Sequence, residues 1–238
     1  MVLQVHHMEM SQSERILFLC EELGIPYNLI RHKRAPLLAP DSLRLPGNPT
    51  GKAPFLEDPD EGVALAESGA ICEYILAKSS DRTLSKRYGD KGYADYIYWF
   101  HYANASLLPA MVGSMFLMHS QLPADDATRQ WAQARLDGAL KYVDSRLESV
   151  KWLAGEDFTA ADVMTVYTVT TQRYFGPNVS LAAYPNILRW LKDVSERPGY
   201  RRAMEKGDPE MELLITADAP TTTLLQEGGI TSGTWKKK

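Results

Sequence analysis

Cysteine is scarce in this chain. Its 238 residues hold two, Cys20 and Cys72, far apart and with no CxxC pair, which argues against a disulfide-stapled framework and a cysteine-ligated metal and points to buried structural thiols in a reducing compartment. An excess of one charge is also missing. Lys and Arg number 26 against 30 Asp and Glu, a formal net charge of -4 with no basic block, so neither nucleic acid nor an anionic membrane surface is expected as a partner. The one basic run, Lys236 to Lys238, follows the glycine-rich stretch from Gly228 to Gly233 and reads as a solvated tail. No apolar run approaches the length that spans a bilayer; Met111 to Met118 is far too short, and Met1 to Met10 carries no basic region ahead of an apolar one. His6, His7, His32, His101 and His119 show no HExxH spacing and no partner cysteines, so no metal is expected. These absences predict a cytoplasmic chain with no membrane segment.

What is present is enough apolar material, 45% of residues, for one large domain or two small ones with a core of their own. Val2 to His7 is β-compatible, and Ile16, Leu19, Cys20 and Leu23 then fall at helical spacing until Gly24 and Pro26 end the run. Tyr27 to Ile30 supplies a second strand, so the opening reads as a strand–helix–strand unit of the kind that builds a parallel pair. Four prolines between Pro36 and Pro49 mark a loop with room for a short helix near Ser42. Ala53 to Glu57 and Val63 to Leu65 flank the polar turn Asp58-Pro59-Asp60-Glu61-Gly62, a hairpin signal. Glu67 to Lys78 closes the unit as a helix.

After the polar segment from Ser79 to Asp90 only long helical patterns follow, which predicts a division into residues 1–80, 81–207 and a C-terminal extension 208–238. Tyr93 to Ser120 reads as one aromatic-rich helix bent near Pro109. Ala127 to Val150 carries Leu136, Leu140, Val143, Leu147 and Val150 as a single apolar stripe. Phe158-Thr159-Ala160-Ala161-Asp162-Val163 combines a Thr N-cap, an acidic N3 residue and a hydrophobic staple. Its meaning is structural. A further helix, Pro185 to Glu196, is expected to stop before Pro198-Gly199, and periodicity fades beyond Gly207.

This order of elements resembles a cytosolic glutathione transferase, an α/β thioredoxin-like N-terminal domain followed by an all-α helical domain. Three stretches carry the resemblance: Ser11-Gln12-Ser13-Glu14-Arg15-Ile16 leading into Glu21-Glu22-Leu23-Gly24, Asn48-Pro49-Thr50-Gly51-Lys52-Ala53-Pro54, and Glu67-Ser68-Gly69-Ala70-Ile71. The Phe158 to Asp162 cap adds to them. The form is similar to fungal and bacterial members with a serine-type first turn, having no tyrosine or cysteine at that place.

The resemblance implies a site for glutathione in the first domain and for a hydrophobic electrophile beside it. A free thiol has a pKa near 8.5, so the site must stabilise a sulfur anion, and a hydroxyl at a helix N-terminus is suited to donate to one. Ser11 stands first for that role and Ser13 second. The same run also fits a capping box in which the Ser11 hydroxyl serves the Glu14 N–H, and Arg15 reads as a helix-surface charge, with a reach towards a ligand carboxylate as the alternative. Ala53-Pro54 resembles the family's cis-proline junction, which turns the Ala53 backbone towards the cysteinyl part of glutathione; an edge-strand proline is the alternative. Lys52 is implied to meet the glycyl carboxylate, or is simply solvated. Ser68 is implied to receive the γ-glutamyl carboxylate and Glu67 its ammonium group, against a plain N-cap.

The electrophile pocket is expected between the first-turn serines and the long helix. Tyr96, Trp99, Phe100, Tyr102, Asn104, Met111, Met115 and Phe116 are candidates, with Tyr174 and Phe175 adding apolar wall, although most of these belong to a core. Two reactions fit the same thiolate: conjugation to an electrophilic carbon, or reversible addition to an activated olefin that gives cis/trans isomerisation. A glutathione-binding protein without chemistry is a third reading. The resemblance also implies a homodimer, and Thr221 to Lys238 either covers the pocket or stays free.

Overall fold

The computed structural model describes residues 2–80 and 82–237. Strand β1 (Leu3–Met8) is central. It pairs in parallel with β2 (Tyr27–His32) and antiparallel with β3 (Phe55–Asp58), which pairs antiparallel with β4 (Val63–Ala66), in the order β2-β1-β3-β4. The strand–helix–strand unit and the hairpin both form as the sequence predicts. Because β1 is covered on both faces its burial does not alternate. Successive side chains still point to opposite faces: His6 meets His32 and Glu57 on one, while His7 meets Ser13 and Asp208 on the other.

Helix α1 (Glu14–Leu23) ends at Gly24, whose φ of 64° is the left-handed C-cap conformation, and α2 (Ser68–Lys78) follows β4. The long helical run divides into α3 (Tyr93–Tyr102), a π-helical turn over Ala103–Leu107, and α4 (Leu108–Met118). The disturbance thus falls one turn before Pro109. A proline cannot donate to the carbonyl four residues back, so the wider turn ends just ahead of it and Pro109 sits in the first turn of α4, where no N–H is needed.

Helix α5 (Ala127–Ser149) buries Leu136, Leu140, Val143 and Leu147, and α6 (Ala160–Val169) is buried at every residue. The Thr159–Asp162 capping box is formed, and Asp162 Oδ1 also accepts from the Leu153 N–H and the Trp190 indole at 3.0 and 2.9 Å.

Beyond α7 (Pro185–Ser195) lies α8 (Pro198–Gly207), which the sequence reading treats as a stop. Pro198 opens this helix, since its fixed φ suits the first helical position. Helix α1 packs on α8, α6 and α2. Two glycines permit that approach: a Cβ on Gly199 would lie 2.3 Å from Glu22 Oε1, and one on Gly207 would lie 2.7 Å from Leu17 Cδ1.

The last stretch folds back on the body. Leu224, Ile230 and Trp235 are buried, the Leu224 N–H donates to Tyr174 O, and the Ile230 N–H donates to Pro36 O. Lys236 pairs with Glu210 and Lys237 donates to Pro209 O, whereas Lys238 lies outside the described residues. So does Asp81, beside the expected division at 80/81. One hydrophobic cluster joins the sheet to the helices, running from Val5, Ile16 and Leu56 to Met111, Leu136 and Trp190. Cys20 and Cys72 are both free and buried in it, and burial pushes the Cys72 thiol up to about 12. No helix among the described residues is long and apolar enough to cross a membrane, and no group of three His, Cys, Asp or Glu side chains there could hold a metal ion.

Candidate active site

The turn between β1 and α1 is strained and held. Met10 has φ 51°, although a side chain in the left-handed region costs roughly 1–2 kcal/mol. Both its peptide groups are gripped, the Met10 N–H by Asp208 Oδ1 at 3.0 Å and the Met10 carbonyl by Arg34 Nη2 at 2.9 Å. Arg34 also donates to the carbonyls of Glu9 and Leu37 and lies over the Phe175 ring. Such over-determination is what keeps a strained residue in place.

Ser11 and Ser13 follow directly. Ser11 Oγ donates to Met8 O at 2.8 Å and lies 2.6 Å from Ser13 Oγ, which accepts from the Met8 N–H at 3.1 Å and meets His7 Nδ1 at 2.9 Å. The side-chain capping box does not form. The Glu14 N–H goes to the Ser11 backbone carbonyl at 3.1 Å, and the Glu14 carboxyl turns inward to accept from Thr171 Oγ1 at 2.6 Å. Burial pushes that carboxyl up to about 8, against the Thr171 hydrogen bond and with the nearby Asp208 charge.

Arg15 is not a surface charge. It is fully buried, and its guanidinium donates to Gln12 Oε1 at 3.0 Å, Ser68 Oγ at 3.2 Å, Asn104 Oδ1 at 2.8 Å and Thr168 Oγ1 at 3.3 Å. It therefore ties the first turn of α1 to the start of α2, the π turn and α6. All four hydrogen-bond partners are neutral, Arg15 Nε has none, and burial pulls the group down to about 10. The Asn104 amide also donates to Ser68 Oγ at 3.1 Å. A buried cation among neutral acceptors is a place for an anion.

The remaining first-site residues lie on two loops. Ala53-Pro54 is a cis peptide, preceded by an exposed Lys52 and braced by Asn48, whose amide donates to Leu43 O and Lys52 O at 2.9 and 2.8 Å. Glu67 is exposed with φ 70° at the N-cap of α2, and Ser68 behind it is buried. Met10 and Glu67 are the two non-glycine residues at positive φ among the described residues, and both stand at helix entries of this site.

Against this geometry, two family models match the chain, the glutathione S-transferase N-terminal domain over residues 10–78 and the C-terminal domain over residues 107–198. Glutathione S-transferase 3 of Schizosaccharomyces pombe is 32% identical over 85% of this chain and 86% of its own length. The chain belongs to the glutathione S-transferase family. A crystal structure of a glutathione S-transferase from Actinobacillus pleuropneumoniae superposes with TM-score 0.77 at 30% identity, covering 87% of this chain and 93% of that one. A Phanerochaete chrysosporium glutathione transferase, solved with oxidised glutathione, shares the fold with TM-score 0.71 at 18% identity over 87% of this chain and 95% of that one.

Within this glutathione S-transferase fold the expected electrophile residues separate. Asn104 and Phe100 lie beside Gly69 and the start of α2. Trp99 and Tyr102 turn instead to α5, where they pack against Tyr142 in one cluster with Tyr98 of their own helix. Tyr96, Met111 and Met115 are buried in the core, and Phe116 is 64% exposed. Tyr174 and Phe175 sit under other elements: the Tyr174 hydroxyl donates to Glu212 O at 2.7 Å, and Phe175 carries Arg34.

The burial of Arg15 and Glu14 escapes the sequence reading, as do His7 and Asp208 as site residues. A signal for the first two exists, since Ile16 to Cys20 is apolar on every side of α1, the mark of a helix buried all round. Asp208 is 198 residues from the Met10 it holds, and nothing local announces that contact.

Proposed function

We propose that this chain binds glutathione in a thioredoxin-like domain of residues 1–80 and activates its thiol for attack on a hydrophobic electrophile held by a helical domain of residues 81–207. The observation that carries the reading is Arg15, a buried guanidinium among neutral groups at the start of α2. The γ-glutamyl carboxylate supplies the missing negative charge there, accepting from Ser68 and drawing on Arg15 through it, while Glu67 pairs with the ammonium group. The Ala53 backbone pairs with the cysteinyl unit, and Lys52 meets the glycyl carboxylate as a point charge.

Ser11 is the thiol partner in this reading and Ser13 stands behind it. The thiol loses its proton to water, Ser11 donates to the sulfur anion, and the sulfur electron pair forms the bond to carbon as the leaving group departs with its own pair. Holding both reactants in one site supplies much of the acceleration. Asn104 and Phe100 form the near wall of the electrophile site. Two free thiols buried in the core favour a cytoplasmic chain over a secreted one, and the family resemblance supports a homodimer.

Calorimetric titration with reduced glutathione, followed by turnover of an activated aryl halide, tests the reading. Wild type is expected to bind and turn over, Glu67→Ala to bind at least about tenfold more weakly, a loss of ~1.4 kcal/mol, and Ser11→Ala to raise the bound thiol pKa. An unchanged thiol pKa in Ser11→Ala removes Ser11 from its role. Absence of binding in wild type removes the reading as a whole.

A further inference from the structure

Beneath the two serines lies a buried chain of polar groups that the reaction so far leaves unused. Ser13 Oγ meets His7 Nδ1 at 2.9 Å, and on the far side of the ring His7 Nε2 faces Asp208 Oδ2 at 3.2 Å. Both side chains of this second pair are at most 1% exposed, and neither Nε2 nor Oδ2 has a hydrogen-bond partner. The other Asp208 oxygen holds the Met10 N–H of the strained turn. Four side chains from β1, the first turn and the end of α8 thus form one line, Ser11, Ser13, His7, Asp208.

Counting protons gives that line a direction. Each serine hydroxyl owns one hydrogen, the Met8 carbonyl beside them can only accept, and the Met8 N–H can only donate. If His7 Nδ1 is bare, Ser13 gives its hydrogen to the ring and Ser11 turns inward to Ser13 or Met8 O, so the hydroxyls point away from a ligand. With a hydrogen on Nδ1 the order reverses. His7 donates to Ser13, Ser13 donates to Ser11, and the Ser11 hydrogen, which Met8 O accepts at 2.8 Å, can turn to a charged acceptor outside from an oxygen already polarised by the bond it receives. The Asp208 carboxylate oxygen at Nε2 and the Ser13 oxygen at Nδ1 set a group able to accept before each ring nitrogen. The other ionisable groups near this pair are Glu14 on α1, kept neutral by burial up to about 8, the Arg34 guanidinium and the buried Tyr167 and Tyr200 hydroxyls of α6 and α8, all within electrostatic reach of Asp208, and the His6–His32 pair on the far face of the sheet.

We propose that His7 and Asp208 are positioning residues that set the direction of the Ser13–Ser11 hydroxyl pair so that Ser11 donates outward to the glutathione sulfur. The proposal rests on the glutathione reading above. It explains why a serine at the thiol is backed by a second serine, and why Asp208 serves both the strained turn and the ring.

The test follows the thiolate absorbance of bound glutathione against pH in wild type, His7→Phe, His7→Asn and Asp208→Asn, with binding of S-methylglutathione, which has no thiol, measured by calorimetry. His7→Phe is expected to raise the bound thiol pKa by about one, a tenfold loss of thiolate in the low-pH limb, while S-methylglutathione affinity stays within about twofold. His7→Asn places an amide N–H near the position of Nδ1 and is expected to hold the wild-type value. Asp208→Asn, which keeps an oxygen for Met10, is expected to raise the thiol pKa and carries the test if His7→Phe does not fold. A thiol pKa unmoved in the variants that still bind S-methylglutathione overturns the proposal, as does an equal rise in His7→Phe and His7→Asn. Failure of wild type to bind S-methylglutathione overturns the glutathione reading itself, and this proposal with it.

Discussion

Glu14→Gln separates stability from charge at the heart of the site. The Glu14 carboxyl is completely buried, and desolvation raises it from 4.5 to about 8 in the folded chain. The native state therefore keeps a proton that the unfolded chain releases above pH 4.5, so its contribution to stability is fully present below that pH. It is lost as pH rises towards 8, by up to ~1.4 kcal/mol per pH unit and about 3 kcal/mol by pH 7. Glutamine cannot ionise and keeps an oxygen for the Thr171 hydroxyl at 2.6 Å. Its amide nitrogen takes the place of Glu14 Oε1, which has no partner, and a buried unsatisfied group costs about 1–3 kcal/mol at every pH. The variant is thus expected to be less stable than wild type at pH 5 and more stable at pH 8. Urea unfolding of both proteins across that range, compared as a difference at each pH, measures the crossing. A difference that stays constant with pH, or that moves in favour of wild type as pH rises, refutes the argument.

Two other perturbations bear on what holds the site in place. Asp162→Ala strips the acceptor from four buried donors, the N–H groups of Leu153 and Thr159, the Thr159 hydroxyl and the Trp190 indole. It should lower stability on the order of 3–5 kcal/mol in thermal unfolding, with glutathione affinity of the folded protein unchanged; a loss under ~1 kcal/mol would show that the cap is dispensable. Trp235→Ala empties a buried indole pocket and breaks the bond from its Nε1 to Ile230 O at 2.7 Å. A loss of about 3–5 kcal/mol and rapid proteolysis across residues 221–237 are expected, and wild-type resistance to protease would mean that the last stretch is held by other contacts.

How much was legible divides along the range of the interactions. The β1–α1–β2 unit, the hairpin, the α5 stripe and the Thr159–Asp162 cap each announce themselves within a few residues, through periodicity, turn chemistry or a side chain returning to its own helix end. Pro198 misleads because the same residue that stops one helix starts another. The capping box at Ser11 misleads for a related reason. Its sequence is right, but Glu14 finds Thr171, 157 residues away, and Ser11 finds the carbonyl of Met8 at the end of β1 instead. The aromatic candidates on α3 and α4 illustrate the other limit: a helix with apolar residues on several faces gives no sign of which face meets the site, and only the π turn brings Asn104 round to Ser68.

The charges inside α1 suggest how this site relates to the stability of the fold. Arg15 is pulled down to about 10 and Glu14 pushed up to about 8 by the same cause, burial in a helix packed on all sides. Adjacent in sequence, they do not neutralise each other by contact: one reaches Ser68 and Asn104, the other Thr171. A folded chain that keeps a guanidinium among neutral partners bears a desolvation penalty that an incoming carboxylate offsets, so that ligand binding and folding are linked. The strained Met10 turn follows the same logic on the other side of the site, held by Asp208 and Arg34 against its own preference. In the glutathione reading proposed above, these costly groups, buried at the first turn of α1 and the start of α2, are gathered where a charged tripeptide would offset their cost.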